Sequence, residues 1–461
     1  MKSIKSKKCS FLFALFAARF SIFGLKLLKR NGTHYPGYIA LKYCPDFLSH
    51  LAQPKKLIAI TGTNGKTTSS NLILEIFSQT NLKIAHNSLG SNIQEGIITT
   101  LLKGSSFFGS KAKADLVILE VDERVSPRIY PYIKPDILLI TNLFRDSYRR
   151  NASVEFIADI LEKSIPDTTR LVVNGDDVIS SYLRKNNERF VFNMEPLKDE
   201  IQIKDSLIKD IVYCPVCDHK LNYSFNRYHH IGKVSCPKCM FTNLNSDISI
   251  VKIEEQVHVK YGDRVYLFPK IGENVTDFYN MISAIATCVY AGLEIEDVQH
   301  SFEHLKVVPT RFNPTELNGK KIVVMMSKDQ NPVAASRVFD YIRRQNSRNT
   351  AVIFINENSD HHTGSENTAW YYDADFEYLN QEHIKQVIVG GWRILDAKVR
   401  LLLAGLDESI ISLAHDEVST SKLVDFTKVD DVYILYGTKT EPEALIIKEA
   451  LLNRVKKEIS A

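Results

Sequence analysis

The sequence predicts an α/β protein of two parallel-sheet domains, the first carrying a phosphate-binding loop and a small inserted zinc ribbon. Three observations predict this. Short apolar runs alternate with helical patterns twice along the 461 residues, as parallel strands covered by helices do. A glycine-rich loop, Thr61 to Thr68 (TGTNGKTT), joins one such run to a helix. Two CxxC pairs interrupt the first alternation. The length exceeds one ordinary core, so two or three domains are expected.

The first element is basic and then apolar. Lys2, Lys5, Lys7 and Lys8 precede an apolar run from Phe11 to Leu28. No small-residue cleavage site follows, and Arg19 and Lys26 interrupt the run, so neither a signal peptide nor a spanning helix is expected. The pattern predicts an amphipathic helix in an N-terminal segment, residues 1–50, packed on the body of the protein or lying on a membrane surface.

The central domain is expected over residues 51–309. Lys56 to Ile60 reads as a strand, and Ser70, Leu72, Ile73, Ile76 and Phe77 mark the helix after the loop. Asp115 to Val121, Asp136 to Thr141 and Arg170 to Asn174 read as buried strands, with helices at Val154 to Lys163 and Tyr279 to Ala291. Between Ile201 and Leu244 the character changes to cysteine pairs, tyrosines and short alternating strands, an insertion of about residues 205–245.

A second, Rossmann-like domain is expected over 310–461, after a hinge near Val308 to Asn318. Its strands are Ile322 to Met326, Ala351 to Ile355, Gln386 to Val389 and Val432 to Tyr436. Its helices are Val333 to Arg344, Ile394 to Leu403 and Glu443 to Lys456.

Composition narrows the class. Apolar residues make up 44% and charged residues 24%, as in soluble globular proteins. The net charge of +4 is small and offers no argument for nucleic-acid binding. Cys9, Cys44 and Cys288 are scattered, which fits a reducing cytoplasm better than a disulfide scaffold.

Two motifs carry chemistry. In the loop, Gly62, Thr63, Asn64, Gly65, Lys66, Thr67 and Thr68 follow a strand and open a helix. Glycines let backbone N–H groups turn toward phosphate, Lys66 reaches the terminal phosphates, and the Thr67 hydroxyl suits Mg²⁺. Glu120 ends a buried strand in LEVDE and is the expected second Mg²⁺ ligand, with Asp122 and Glu123 as rivals. Asn142 ends the next strand and is a weaker candidate. Cys214, Cys217, Cys236 and Cys239 form two knuckles eighteen residues apart, a four-thiolate set for structural Zn²⁺. His219, His229 and His230 are expected on the ribbon surface.

The loop TGTNGKTT resembles the ATP loop of Mur ligases and folylpolyglutamate synthases, which form amides through an acyl phosphate. A Mur-type core with a four-cysteine ribbon resembles the MurT family in particular. The likeness runs through Arg30 to Leu48, GSNIQEGI (Gly90 to Ile97), LEVDE, TNLFRD (Thr141 to Asp146), the ribbon, DADFE (Asp373 to Glu377) and Gly390 to Leu406. It implies an ATP- and Mg²⁺-dependent ligase that amidates the D-glutamate α-carboxyl of lipid II. Ammonia would come from a GatD-like glutamine amidotransferase partner, and the enzyme would work in the cytoplasm at the inner membrane face. It further implies that Asp373, with Asp375 as rival, completes the partner's catalytic triad, that Asn280 contacts adenine, and that Arg311 reaches the ATP phosphates. Three segments depart from the family pattern: Ser147 to Asn151, Lys328 to Ala334 and Tyr436 to Thr440. A ligase that adds a whole amino acid and a non-catalytic nucleotide-binding paralogue are the alternatives.

Overall fold

The computed structural model describes residues 8–30, 32–87, 91–108, 111–146, 153–198, 200, 206–305, 313–328, 331–355, 368–437 and 439–457. Arg311, the stretch Ser147 to Asn151, Asp329, Gln330 and Thr438 lie outside the described residues. The chain divides into two units. Unit 1 holds residues 1–144, 154–203 and 211–306; unit 2 holds 145–153, 204–210 and 307–461.

Unit 1 opens with α1 (Lys8–Leu27) and α2 (Tyr35–Tyr43), followed by β1 (Leu57–Thr61), α3 (Lys66–Ser78), β2 (Ile84–His86), α4 (Gln94–Lys103), β3 (Leu116–Glu120) and α5 (Ser126–Ile129). Next come β4 (Ile137–Ile140), α6 (Val154–Ser164), β5 (Arg170–Asn174) and β6 (Arg189–Met194). A hairpin, β7 (Asn222–Tyr228) and β8 (Ile231–Ser235), precedes β9 (Ile248–Ile253), β10 (Gln256–Tyr261), β11 (Arg264–Pro269), α7 (Val275–Tyr290) and α8 (Ile295–Glu303). The main sheet runs β11-β10-β9-β6-β5-β4-β1-β3-β2. It is parallel from β2 through β9 and antiparallel at β9-β10-β11. β1, β3 and β4 are apolar and buried on both faces, which is what a central parallel strand requires. β1 lies between β3 and β4, so the strand order reverses there and opens a crevice beyond the carboxyl ends.

α1 seats one face on this body. Phe11, Ala14, Leu15 and Ala18 join the core formed by Phe47, Leu48, Ile97 and Leu102. Arg19 donates to Leu102 O at 3.3 Å, Ser105 Oγ at 3.0 Å and Ser106 O at 2.5 Å.

Cys214 and Cys236 are buried, and each precedes a tight turn. Asp218 and Met240, one residue past the second cysteine of each knuckle, take left-handed backbone (φ 55° and 61°). The four thiol sulfurs lie within 4.8 Å of one another, with Cys214–Cys239 and Cys217–Cys236 both at 3.5 Å. The expectation of surface histidines holds for His219, which is exposed, and fails for the other two. His229 and His230 form the inward tip of the hairpin. His230 Nε2 meets Asp177 Oδ1 at 3.2 Å, and its ring stands 4.6 Å from that of Phe144. The hairpin is also pinned by the wholly buried Arg227. Its guanidinium donates to Glu200 Oε1 at 2.9 Å, Met194 O at 3.0 Å and the Tyr279 hydroxyl at 2.6 Å.

Unit 2 contains β12 (Asn313–Leu317), β13 (Lys320–Met326), α9 (Pro332–Arg344), β14 (Thr350–Ile355), α10 (Trp370–Asp373) and β15 (Ile384–Gly390). It ends with α11 (Ile394–Leu403), β16 (Ile411–Ala414), α12 (Thr420–Leu423), β17 (Asp431–Tyr436) and α13 (Glu441–Lys457). Its sheet runs β12-β13-β17-β14-β15-β16, parallel except at the β12 edge. One core lies under α9, α10 and α11, and another under α13 on the opposite face.

Candidate functional site

The glycine-rich loop leaves β1 at the crevice and turns into α3. Gly62 (φ 127°) and Gly65 (φ 84°) both occupy backbone that side chains avoid. A Cβ on Gly62 would fall 2.2 Å from Thr141 Oγ1, and one on Gly65 would fall 2.1 Å from Asn280 Oδ1. The end of β4 braces the loop. Thr63 N donates to Asn142 O at 2.8 Å, Asn64 N donates to Asn142 Oδ1 at 3.0 Å, and Thr141 Oγ1 donates to Asn64 O at 2.7 Å. The Thr63 hydroxyl accepts from Phe144 N at 2.9 Å. Phe144 is the residue against which the tip of the β7–β8 hairpin packs, so the hairpin forms part of the wall behind the loop.

The charges converge at the start of α3. Thr67 Oγ1 donates to Glu120 Oε2 at 2.9 Å. Lys66 Nζ lies 2.8 Å from Glu123 Oε1, which also accepts from Gly62 N at 3.0 Å, and Lys66 donates to Gly62 O as well. Burial would depress the Lys66 ammonium. The carboxylates of Glu123, Glu120 and Asp122 outweigh it and hold the pKa above the ordinary lysine value. Glu123 thus holds the lysine that the loop chemistry would turn toward phosphate. A hydroxyl and a carboxylate oxygen 2.9 Å apart, both beside the loop, are a donor set that suits Mg²⁺.

The structure brings Gly62, Thr63, Asn64, Gly65, Lys66, Thr67, Glu120, Asn142 and Asn280 together. Thr68 continues α3 and lies outside this hydrogen-bond network as described above. Two further residues, Asn87 and Asn92, join the site without having been expected there, although Asn92 lies within the GSNIQEGI stretch. Asn87 grips the Glu120 backbone at both N (2.8 Å) and O (2.7 Å), and Asn92 Nδ2 donates to Glu120 Oε1 at 3.0 Å. They aim the carboxylate.

The two aspartates of DADFE belong to unit 2 and differ sharply. Asp373, at the end of α10, places Oδ2 3.2 Å from Arg145 NH1, and Arg145 also pairs with Asp210 at 2.6 Å. Asp375 is buried. Its Oδ1 accepts from Leu207 N at 2.6 Å, its Oδ2 has no partner among the described residues, and burial pushes its pKa up to about 6.

Residues 60–209 match the Mur ligase middle domain, and residues 329–438 match the MurT ligase C-terminal domain. The chain joins a Mur ligase middle domain to a MurT ligase C-terminal domain. Over 97% of this chain, and 98% of the relative, it is 28% identical to the lipid II isoglutaminyl synthase (glutamine-hydrolyzing) subunit MurT of Streptococcus pneumoniae strain R6. It is also 28% identical to the subunit of the same name from Staphylococcus aureus strain COL, over 86% of this chain and 89% of that one. Among solved structures, the pseudomurein peptide ligase type C of Methanothermus fervidus shares the fold at TM-score 0.65 and 17% identity, covering 90% of this chain and 81% of that one. MurF from Acinetobacter baumannii shares it at 0.60 and 11%, covering 90% and 80%.

Proposed function

We propose that this chain is the ligase subunit of an enzyme that amidates the D-glutamate α-carboxyl of lipid II to D-isoglutamine, using ATP and ammonia from a GatD-type glutaminase partner. The pairing of an ATP-type loop with a MurT C-terminal domain in one chain carries the reading. The relatives that match nearly end to end bear the name of that reaction.

In the first step a substrate carboxylate oxygen attacks the γ-phosphorus of ATP. The bond from that phosphorus to the leaving ADP oxygen breaks, giving an acyl phosphate. Ammonia then attacks the acyl carbon, inorganic phosphate leaves, and a proton is lost to solvent. The loop N–H groups and Lys66 neutralise charge on the transferring group. Thr67 and Glu120 would hold Mg²⁺, which supplies further charge neutralisation when bound. Asn87 and Asn92 keep Glu120 in place. The four cysteines would hold a structural Zn²⁺. Paired sulfurs at 3.5 Å are near the spacing of about 3.8 Å that a tetrahedral site with 2.3 Å bonds needs. Asp373, the less buried of the two aspartates, would orient the histidine of the glutaminase.

The test is isoglutamine formation from lipid II, followed by mass spectrometry, with ammonium, glutamine plus partner, or a panel of amino acids as the nitrogen source. Ammonium and glutamine are expected to serve and the amino acids are not. Lys66→Ala is expected to lower turnover about 10²–10³-fold or more with the fold retained. Undiminished ATP turnover in that variant would defeat the ligase reading.

A further inference from the structure

We propose that the outward face of α1, extended by the loop at Phe107 and Phe108, is a docking face for an anionic lipid bilayer. α1 has two unlike sides. Its inward side is core, as described above. Its outward side repeats at 13, 16, 20, 23 and 27, the spacing of one helical stripe. Phe13 is 59% exposed, Phe20 77%, Phe23 59% and Leu27 70%. The stripe continues off the helix, where Phe107 and Phe108 are 56% and 60% exposed and the Phe16 ring lies 5.7 Å from that of Phe107. An open groove of about 650 Å³ runs beside it, with Tyr35 and Ile39 of α2 on its far wall. Single exposed apolar residues need no explanation, but a contiguous aromatic face marks a contact surface.

Charge selects the occupant. Residues 1–45 hold seven lysines, two arginines and no aspartate or glutamate, in a chain of net charge +4. Lys26, Lys29, Arg30 and Lys42 are exposed around the helix. Lys103, Lys111 and Lys113 flank the Phe107–Phe108 loop and are exposed as well. A second copy docked face to face would set these cations against their own images, which is unfavourable in a two-fold contact. A bilayer with anionic headgroups takes both the aromatic rings and the lysines. α1 is long and apolar enough to cross a membrane. Its buried side and the three Arg19 hydrogen bonds hold it to unit 1 instead, so it lies on the lipid surface.

The full chain is sedimented with vesicles of phosphatidylcholine alone or mixed with phosphatidylglycerol, at low and high salt. Binding is expected to the mixed vesicles and to weaken with salt. Phe20→Ser with Phe23→Ser, and separately Phe107→Ser with Phe108→Ser, are expected to lower partitioning about tenfold or more. The melting temperature should hold, because these side chains are exposed. Lys26→Glu with Lys29→Glu is expected to erase the preference for phosphatidylglycerol, and Phe156→Ser, exposed on α6, to change nothing. A wild-type chain that ignores anionic vesicles, or paired phenylalanine variants that bind as well as wild type, would overturn the proposal. So would lipid-free self-association that the phenylalanine variants abolish, which would give the face to a second copy.

Discussion

Asp373 and Asp375 are two residues apart, yet the fold treats them as different chemical objects. Asp375 is held against Leu207 N with one oxygen unmet among the described residues, and burial raises its pKa to about 6. The folded chain therefore binds that proton more tightly than the unfolded one. This adds stability below the unfolded value near 3.8, and the contribution is lost as pH rises through about 6. Asparagine keeps an acceptor for Leu207 N and removes the buried charge. Asp375→Asn is expected to be more stable than wild type at pH 8, by up to about 3 kcal/mol, and no more stable at pH 4. Urea unfolding at the two pH values checks this; a loss at pH 8 would mean that the carboxylate itself is required. The sequence showed the loop and Glu120 because those residue types have fixed chemistry at fixed spacing. Asn87 gave no such signal. Asparagine is common, and its bond to Glu120 joins positions 33 residues apart.

At the scale of elements, runs buried on both faces were legible, because continuous apolar segments between turns have few other uses. β9, β10 and β11 were not. They form a half-exposed antiparallel meander in which Val257 and Val259 alternate with His258 and Lys260, a pattern too short to stand out. The four cysteines were legible as a cluster, but the role of the hairpin between them was not. Arg227 reads as an ordinary surface cation, yet it is wholly buried and ties the hairpin to Glu200, Met194 and Tyr279. If zinc folds the ribbon, its loss should travel through the tip to Phe144 and Thr63. The purified chain is expected to carry about one Zn²⁺. Cys217→Ser is expected to lose it, melt earlier and show a raised KM for ATP. Metal analysis, calorimetry and ATPase kinetics measure the three. A metal-free wild-type chain of unchanged stability would contradict the ribbon reading.

At the scale of the molecule, ligase and interface candidates fall in different units, with Lys66 and Glu120 in unit 1 and Asp373 in unit 2. A division of labour follows. Asp373→Asn is expected to abolish glutamine-driven amidation with the partner present and to spare the reaction with free ammonium, since Arg145 keeps Asp210. Loss of both activities would move Asp373 into the ligase site or the fold, and loss of neither would leave the triad to the partner alone. The second domain expected over 310–461 leaves out residues 145–153 and 204–210, which group with unit 2 and carry no periodic signal. Those pieces matter during synthesis. Arg145 bonds a residue 228 positions later, and Leu207 bonds one 168 positions later. As the ribosome makes this chain, both segments emerge long before the residues that receive them and wait while 228 and 168 further positions are made. A gene fragment starting at residue 307 would therefore encode a unit missing its own parts, with Asp373 and Asp375 stripped of the neighbours that hold them.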